Sequence, residues 1–111
     1  MDLLYKNQEL GRACSVYQES VRSWGERRAA VVRRRIAQMM PADNLAVLST
    51  LPPLDLMAGE QPDEFLIDAL SPYRLVFAPW HDPIPRRVDG GLDLEQVTTL
   101  RILAVKEHRG H

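Results

Sequence analysis

The last apolar segment of the chain runs directly into a cluster of ionisable side chains. Residues 100 to 105, LRILAV, are typical of a buried strand, and Lys106, Glu107, His108 and Arg109 follow at once. Histidine suits general acid–base chemistry, because it changes charge near neutral pH. Side chains alternate along a strand, so Lys106 and His108 are predicted to share one face. Two interpretations stay open: the cluster is a solvated chain end, or the strand delivers His108 to an active site.

Arg74 is the second residue whose position suggests chemistry. The segment EFLIDALSPYRLVFAP predicts two strands around Leu70-Ser71-Pro72, and alternation places Arg74 on the face opposite Leu75. A strand arginine either forms a salt bridge, here with Asp68 across the hairpin, or binds an anionic group. We predict that residues 73–79 form a central strand and that residues 97–105 lie beside it. That arrangement would bring His108 near the strand that carries Arg74.

The elements that must position these residues are predicted from apolar periodicity. A first helix begins at Asn7, ends at Gly25, and carries an apolar stripe of Leu10, Cys14, Tyr17, Val21 and Trp24. A second helix runs from Glu26 to Met40, before Pro41, with a stripe of Ala29, Val32, Ile36 and Met39. Residues 2–5 predict a short first strand, and residues 43–48 predict a turn of helix. The fold class is therefore α+β, with an N-terminal helical hairpin packed on one face of a small antiparallel β-sheet.

Composition and length restrict the class of protein. The chain has 111 residues, 45% of them hydrophobic, which predicts a single domain over residues 1–111. One cysteine excludes an intramolecular disulfide and favours a reducing compartment. The N-terminal residues lack a secretory-signal pattern, and no apolar run is long enough to span a membrane, so we expect a cytoplasmic protein without membrane partners. The spacing of His108 and His111 differs from that of helical zinc motifs, so we expect no metal and no cofactor.

Charge is distributed unevenly along the chain. Residues 12 to 35 carry seven arginines against Glu19 and Glu26, a net +5, whereas residues 36 to 70 carry six acidic residues and no basic one. The second helix contributes most of these arginines, namely Arg27, Arg28, Arg33, Arg34 and Arg35. Because the apolar stripe takes the buried face, we expect these five arginines to lie mostly off the core. They form either a solvated helix face or a surface for phosphates or an acidic protein.

Several segments in sequence resemble a known family. The chain order of a helix pair followed by strands, with SPYRLVF, DPIPRR, VDGGLD and VTTLRILAVKEH, is similar to the HigB-type plasmid-maintenance killer proteins of the RelE/ParE toxin superfamily. The resemblance covers nearly the whole chain and is strongest over residues 63–108. It implies a RelE-like fold and the toxin of a type II toxin–antitoxin system. It further implies a ribosome-dependent endoribonuclease, or mRNA interferase, that cleaves mRNA by 2′-hydroxyl attack without a metal.

The resemblance also implies roles for particular residues. Arg74 and His108 correspond to catalytic positions, and Arg86, Arg87, Lys106 and Arg109 are the expected RNA-binding cations. The arginines of the second helix, Arg27, Arg28, Arg33, Arg34 and Arg35, would bind the antitoxin or ribosomal RNA. The implied partners are a helix-turn-helix antitoxin of the HigA type, with which the chain would form a hetero-oligomer, and the ribosome with its mRNA.

The chain departs from the family pattern at three positions. Asp55 stands near the place of a family histidine, Gln61 stands at the place of an arginine, and Glu107 replaces a tyrosine. These departures keep a second hypothesis open, a RelE/ParE-fold binding protein without nuclease activity. Such a protein would be a degenerate toxin, a regulatory partner, or a poison of another target, as the ParE branch acts on gyrase. A nuclease should gather cations around Arg74 and His108, drawn from Arg86, Arg87, Arg101 or Arg109.

Overall fold

The structure is a computed structural model that describes residues 1–109, so His111 lies outside the described residues. The helices are α1 (Gln8–Ser15), α2 (Tyr17–Met39) and α3 (Leu45–Leu48). The strands are β1 (Asp2–Tyr5), β2 (Met57–Ala58), β3 (Phe65–Asp68), β4 (Tyr73–Pro79) and β5 (Thr99–Glu107). All five strands belong to one open sheet in the order β1-β5-β4-β3-β2. The α+β class predicted from the sequence is confirmed.

The centre of the sheet is β4, with β5 beside it, as the apolar pattern predicted. The prediction of a wholly antiparallel sheet is wrong for β1, which pairs with β5 in parallel, so the sheet is mixed. Parallel strands must be joined by a long crossover connection and not by a tight turn. The many residues between β1 and β5 supply such a connection. Alternation of apolar residues along β1 is the same in either direction, so the sequence pattern could not reveal its orientation.

The first helix is interrupted where the sequence pattern predicted continuity. Val16 adopts an extended conformation, with φ −106° and ψ 118°, and separates α1 from α2. The fully buried Ser20 hydroxyl donates to the carbonyl oxygens of Ala13 and, at 3.2 Å, Val16. These bonds satisfy carbonyl groups near the break, and a buried carbonyl left without a donor would be costly. As a result Tyr17 is 50% exposed, so its predicted place on the core stripe is wrong.

The second predicted helix is confirmed as the part of α2 that follows Gly25. Gly25 has φ +78°, a left-handed conformation that glycine adopts readily, and it kinks α2 there. The predicted stripe of Ala29, Val32, Ile36 and Met39 is buried throughout. Val32, Ile36 and Met39 join one core cluster with Leu75 and Phe77 of β4 and Ile102 of β5. Burial of these apolar side chains is the main stabilising contribution available to a chain of this size.

Two of the five arginines that follow Gly25 in α2 bind the backbone of the β3–β4 turn. Arg35 donates to the Asp68 carbonyl oxygen at 3.2 Å and to the Asp68 carboxylate at 2.7 Å, and its side chain is only 11% exposed. Arg28 donates to the carbonyl oxygens of Ala69 and Leu70, and its guanidinium lies 3.9 Å from the centre of the Tyr73 ring. Of the five arginines expected to lie mostly off the core, Arg27, Arg33 and Arg34 are exposed, whereas Arg28 and Arg35 are partly buried against this turn. Helix periodicity does not show that a long cationic side chain reaches back to a neighbouring turn.

Cys14 of α1 lies in the core cluster. Cys14 is 5% exposed, and its burial raises the pKa of the thiol to about 12, as expected for a core position. Among residues 1–109, no helix combines the length and the apolar character that crossing a membrane requires.

Replacing Arg35 by Ala is expected to lower the free energy of unfolding by about 2–4 kcal/mol, because it leaves the partly buried Asp68 carboxylate without its cation. Urea denaturation monitored by circular dichroism measures the change. Arg34→Ala is the matched control, since Arg34 is exposed on the same helix and its replacement should change stability by less than about 0.5 kcal/mol. Equal effects of the two substitutions would contradict a clamping role for Arg35.

Candidate functional site

The two faces of the sheet carry different side chains. On β4, Leu75 and Phe77 face the helices, so alternation turns Arg74, Val76 and Ala78 to the other face. In β5, Lys106 pairs directly with Arg74, and Arg101 pairs with Ala78, which places both cations on that same face. We call it the arginine face, defined by Arg74, Arg101 and Lys106. The central pair of strands thus gathers three cations on the face opposite Leu75 and Phe77.

His108 follows β5 and is held at the same end of the sheet as Arg74. Its backbone N–H donates to the Pro72 carbonyl oxygen at 2.8 Å, which extends the β4–β5 register one pair beyond Tyr73 and Glu107. Counting on from Lys106, this register favours the arginine face for the half-buried imidazole. Arg74, Lys106 and His108 are therefore the predicted site residues that the β4–β5 pairing brings to one end of the sheet.

The Arg74 guanidinium forms a salt bridge with Asp55. Arg74 donates to the Asp55 carbonyl oxygen at 3.1 Å and to its carboxylate at 2.9 Å, and the two side chains are 20% and 66% exposed. Asp55 adopts a left-handed backbone conformation, with φ +49°, at the end of a short 3-10 turn. The predicted partner, Asp68, does pair with Arg74 in the strand register, but its carboxylate binds Arg35 instead. The salt bridge between Arg74 and Asp68, which the sequence left open, is thus not formed in the described residues, and Asp55 is the acidic partner of Arg74.

The other predicted RNA-binding arginines also carry acidic partners. Arg86 forms two hydrogen bonds to Asp63, which raise the pKa of the guanidinium, and Arg109 binds Glu107 at 2.9 Å. Arg87 lies 3.4 Å from Asp89, whose pKa is lowered first by the Gly91 N–H and then by Arg87. Lys106 is exposed and forms no ion pair among residues 1–109.

Arg86 and Arg87 belong to a different region from Arg74. A bridge between Arg86 and Leu92 closes the loop that contains them, and Asp63 anchors Arg86 just before the start of β3. Arg74 pairs with Asp68 at the opposite end of β3. The structure therefore brings Lys106 to Arg74 but does not bring Arg86 or Arg87 there.

Sequence analysis missed Trp80, which lies just beyond β4 and is 50% exposed. The Arg101 guanidinium lies 4.4 Å from the centre of the indole ring, a cation–π contact, and its side chain also donates to the Lys6 carbonyl oxygen. One signal could have revealed this pair, since Arg101 interrupts an apolar strand and a tryptophan follows the neighbouring strand.

On the helical side, Arg27, Arg33 and Arg34 are exposed, as the sequence predicted. The Arg33 guanidinium lies 5.3 Å from the centre of the exposed Tyr17 ring. Within the described part of the chain, no three His, Cys, Asp or Glu side chains lie together in a way that could hold a metal ion. Comparisons with protein-family models, curated proteins and solved structures found no match to this chain.

Removing the Asp55 charge is expected to strengthen binding of a single-stranded RNA about two- to fivefold at low salt, because one exposed ion pair contributes about 0.2–1 kcal/mol. Fluorescence anisotropy with Asp55→Asn measures the change. Asp43→Asn removes an exposed charge that forms no ion pair within residues 1–109 and is the matched control. An affinity that is the same for both variants would show that Asp55 does not compete for Arg74.

Proposed function

We propose that this chain is a toxin of the RelE/HigB type, which cleaves mRNA in the ribosome and is neutralised by a cognate antitoxin. The observation that carries the proposal is the placement of Arg74 on the central strand, with Lys106 paired to it and His108 two register pairs further along. The order of helices before the β3–β4–β5 strands also agrees with the helix-pair-and-sheet arrangement that the family resemblance implies.

The proposed reaction needs a base, an acid and a stabilised pentacoordinate phosphate. The RNA 2′-oxygen attacks the adjacent phosphorus, loses its proton to neutral His108, and forms the bond of a 2′,3′-cyclic phosphate. The bond from phosphorus to the 5′-oxygen breaks, and that oxygen takes a proton from solvent water to become a free hydroxyl. Protonated His108 returns its proton to solvent, which restores the starting state. Arg74 and Lys106 supply positive charge to the non-bridging oxygens, where negative charge accumulates in the transition state.

A second function, that of a binding protein without nuclease activity, is favoured by one specific observation. Arg74 is engaged by Asp55 through two hydrogen bonds, and Arg86, Arg87 and Arg109 also lie next to carboxylates. Lys106 is thus the one predicted RNA-binding cation with no acidic partner among residues 1–109. A phosphate must displace Asp55 to reach Arg74 fully, which weakens binding. Under this hypothesis the fold serves recognition of a partner, as in a degenerate toxin or a poison of another target such as gyrase.

His108→Ala and Arg74→Ala are each expected to lower the cleavage rate about 10²–10⁴-fold, since each removes a group that acts in the transition state. Induction in a bacterial host, followed by mapping of mRNA 5′ ends, measures cleavage directly. Arg12→Ala is the control, because Arg12 is exposed on α1 and Glu19 is its one acidic partner among residues 1–109. Circular dichroism must show that every variant is folded.

The mapping experiment also separates the two functions. New 5′ ends that appear with the native chain and disappear with His108→Ala support the nuclease. Growth arrest without new 5′ ends supports the non-catalytic alternative, and full cleavage by His108→Ala removes His108 from the mechanism.

We propose that Arg27, Arg33 and Arg34, the exposed arginines of α2 that follow Gly25, bind an acidic segment of the antitoxin. Arg33→Ala combined with Arg34→Ala should weaken antitoxin binding about five- to tenfold at 50 mM salt and less at 500 mM salt, because surface charges are screened. Isothermal titration calorimetry with the purified antitoxin measures the affinity. Arg12→Ala combined with Arg22→Ala, which removes two exposed arginines beside Glu19, should leave it unchanged. Equal affinities of the two double variants for the antitoxin would show that Arg33 and Arg34 belong to a solvated helix face.

A further inference from the structure

Trp80 stands at the end of the arginine face that lies away from His108. Trp80 follows Ala78 by two residues, so alternation from β4 keeps it on the face that carries Arg74. Its backbone N–H donates to the Thr99 carbonyl oxygen at 2.9 Å, which fixes it against the start of β5. Arg101 covers the indole at 4.4 Å, and half of the side chain remains exposed to solvent. A rigid aromatic ring beside a cation is the usual platform for stacking an unpaired base.

An open cavity of about 380 Å³ lies against this ring and is lined by Trp80, His81 and Asp82. The His81 Nε2 atom accepts hydrogen bonds from the backbone N–H groups of Thr98 and Thr99, both at 3.2 Å. A neutral imidazole that accepts at Nε2 carries its proton at Nδ1, so His81 retains one donor. The exposed Asp82 carboxylate is an acceptor. The cavity thus combines a stacking surface, a donor and an acceptor.

We infer that Trp80, His81 and Asp82 form a binding pocket for one unpaired nucleobase of a single-stranded RNA. The indole stacks on the base, while the Asp82 carboxylate accepts from an exocyclic amino or ring N–H group and His81 donates to a ring nitrogen or carbonyl oxygen. Every nucleobase offers such a donor beside an acceptor, and a carboxylate favours those with an amino group, as in its pairing with cytosine. Arg101 adds positive charge beside the ring, where the RNA backbone passes.

The pocket lies at a useful distance from the proposed reaction centre, and this part of the inference rests on the proposed function. Trp80 is six residues from Arg74 along an extended segment that rises about 3.3 Å per residue, so the two are roughly 20 Å apart. Stacked nucleotides advance about 3.4 Å each, so the same RNA strand reaches both places within about six nucleotides. The pocket would select a base several positions away from the scissile phosphate.

A second exposed aromatic ring beside an arginine, Tyr17, serves as the control. Tyr17 is also 50% exposed and also lies beneath an arginine, Arg33, but it belongs to α2 rather than to the sheet. Anisotropy titrations of a labelled octaribonucleotide of mixed sequence compare Trp80→Ala, Trp80→Phe and Tyr17→Ala with the native chain. We expect Trp80→Ala to weaken binding about 5- to 100-fold, Trp80→Phe less than about threefold, and Tyr17→Ala not at all. Thermal melts check that each variant is folded.

The outcomes separate the pocket from the proposed function. An unchanged affinity for Trp80→Ala, equal losses for Trp80→Ala and Tyr17→Ala, or no binding of the octamer by the native chain overturns the pocket. Arg74→Ala and mRNA 5′-end mapping test the proposed function independently. A loss with Trp80→Ala in a protein that cuts no mRNA leaves the nucleobase pocket and removes the nuclease. Cleavage that persists while Trp80→Ala binds normally leaves the nuclease and removes the pocket.

Discussion

The position of β4 between β3 and β5 is the constraint on which the rest of the structure depends. A strand that is hydrogen-bonded on both sides has its side chains fixed in strict alternation. Leu75 and Phe77 therefore enter the core with Val32 and Ile36 of α2, while Arg74 is held on the opposite face. The same registry sets Lys106 beside Arg74. Because Leu75 and Phe77 must face the core, Arg74 must lie on the opposite face of β4.

Of the three cations on the arginine face, Arg74 alone has an acidic partner among residues 1–109. Arg74 forms its salt bridge with Asp55. Asp68, which pairs with Arg74 in the strand register, forms its salt bridge with Arg35 of α2 instead. The Arg35–Asp68 pair has little solvent exposure and secures the β3–β4 turn, whereas the Asp55–Arg74 pair is exposed at Asp55 and is readily exchanged. A phosphate can compete for Arg74 without disturbing the clamp. The two pairs differ mainly in the exposure of their carboxylates, which is 29% for Asp68 and 66% for Asp55.

Much of the fold could be predicted from the sequence because apolar periodicity is a local signal. The β3–β4 hairpin, β5, β1 and the buried stripe of α2 all follow from it. The break at Val16 could not be predicted, because the apolar spacing continues across it and the Ser20 bonds that stabilise it depend on three-dimensional placement. The two-residue strand β2 is too short to produce any alternation, and the parallel direction of β1 leaves no trace in its sequence.

The candidate site was predictable only where strand register decides it. Arg74 and Lys106 are adjacent because their strands pair, and alternation within each strand already indicated their faces. The partners of the arginines were not predictable, since Arg74 with Asp55 and Arg35 with Asp68 join residues 19 and 33 positions apart. The contact between Trp80 and Arg101 was not predictable either, because the two residues lie on different segments of the chain.

The most direct test of the central claim, that the arginine face engages RNA, is a map of backbone amide shifts. ¹⁵N-labelled protein is titrated with a single-stranded octaribonucleotide, and changes are followed by two-dimensional NMR. The account predicts that the largest shifts fall on residues 73–80 and 99–108, with α2 residues 26–39 nearly unaffected. Shifts concentrated on α2, with the strands β4 and β5 unchanged, would contradict it.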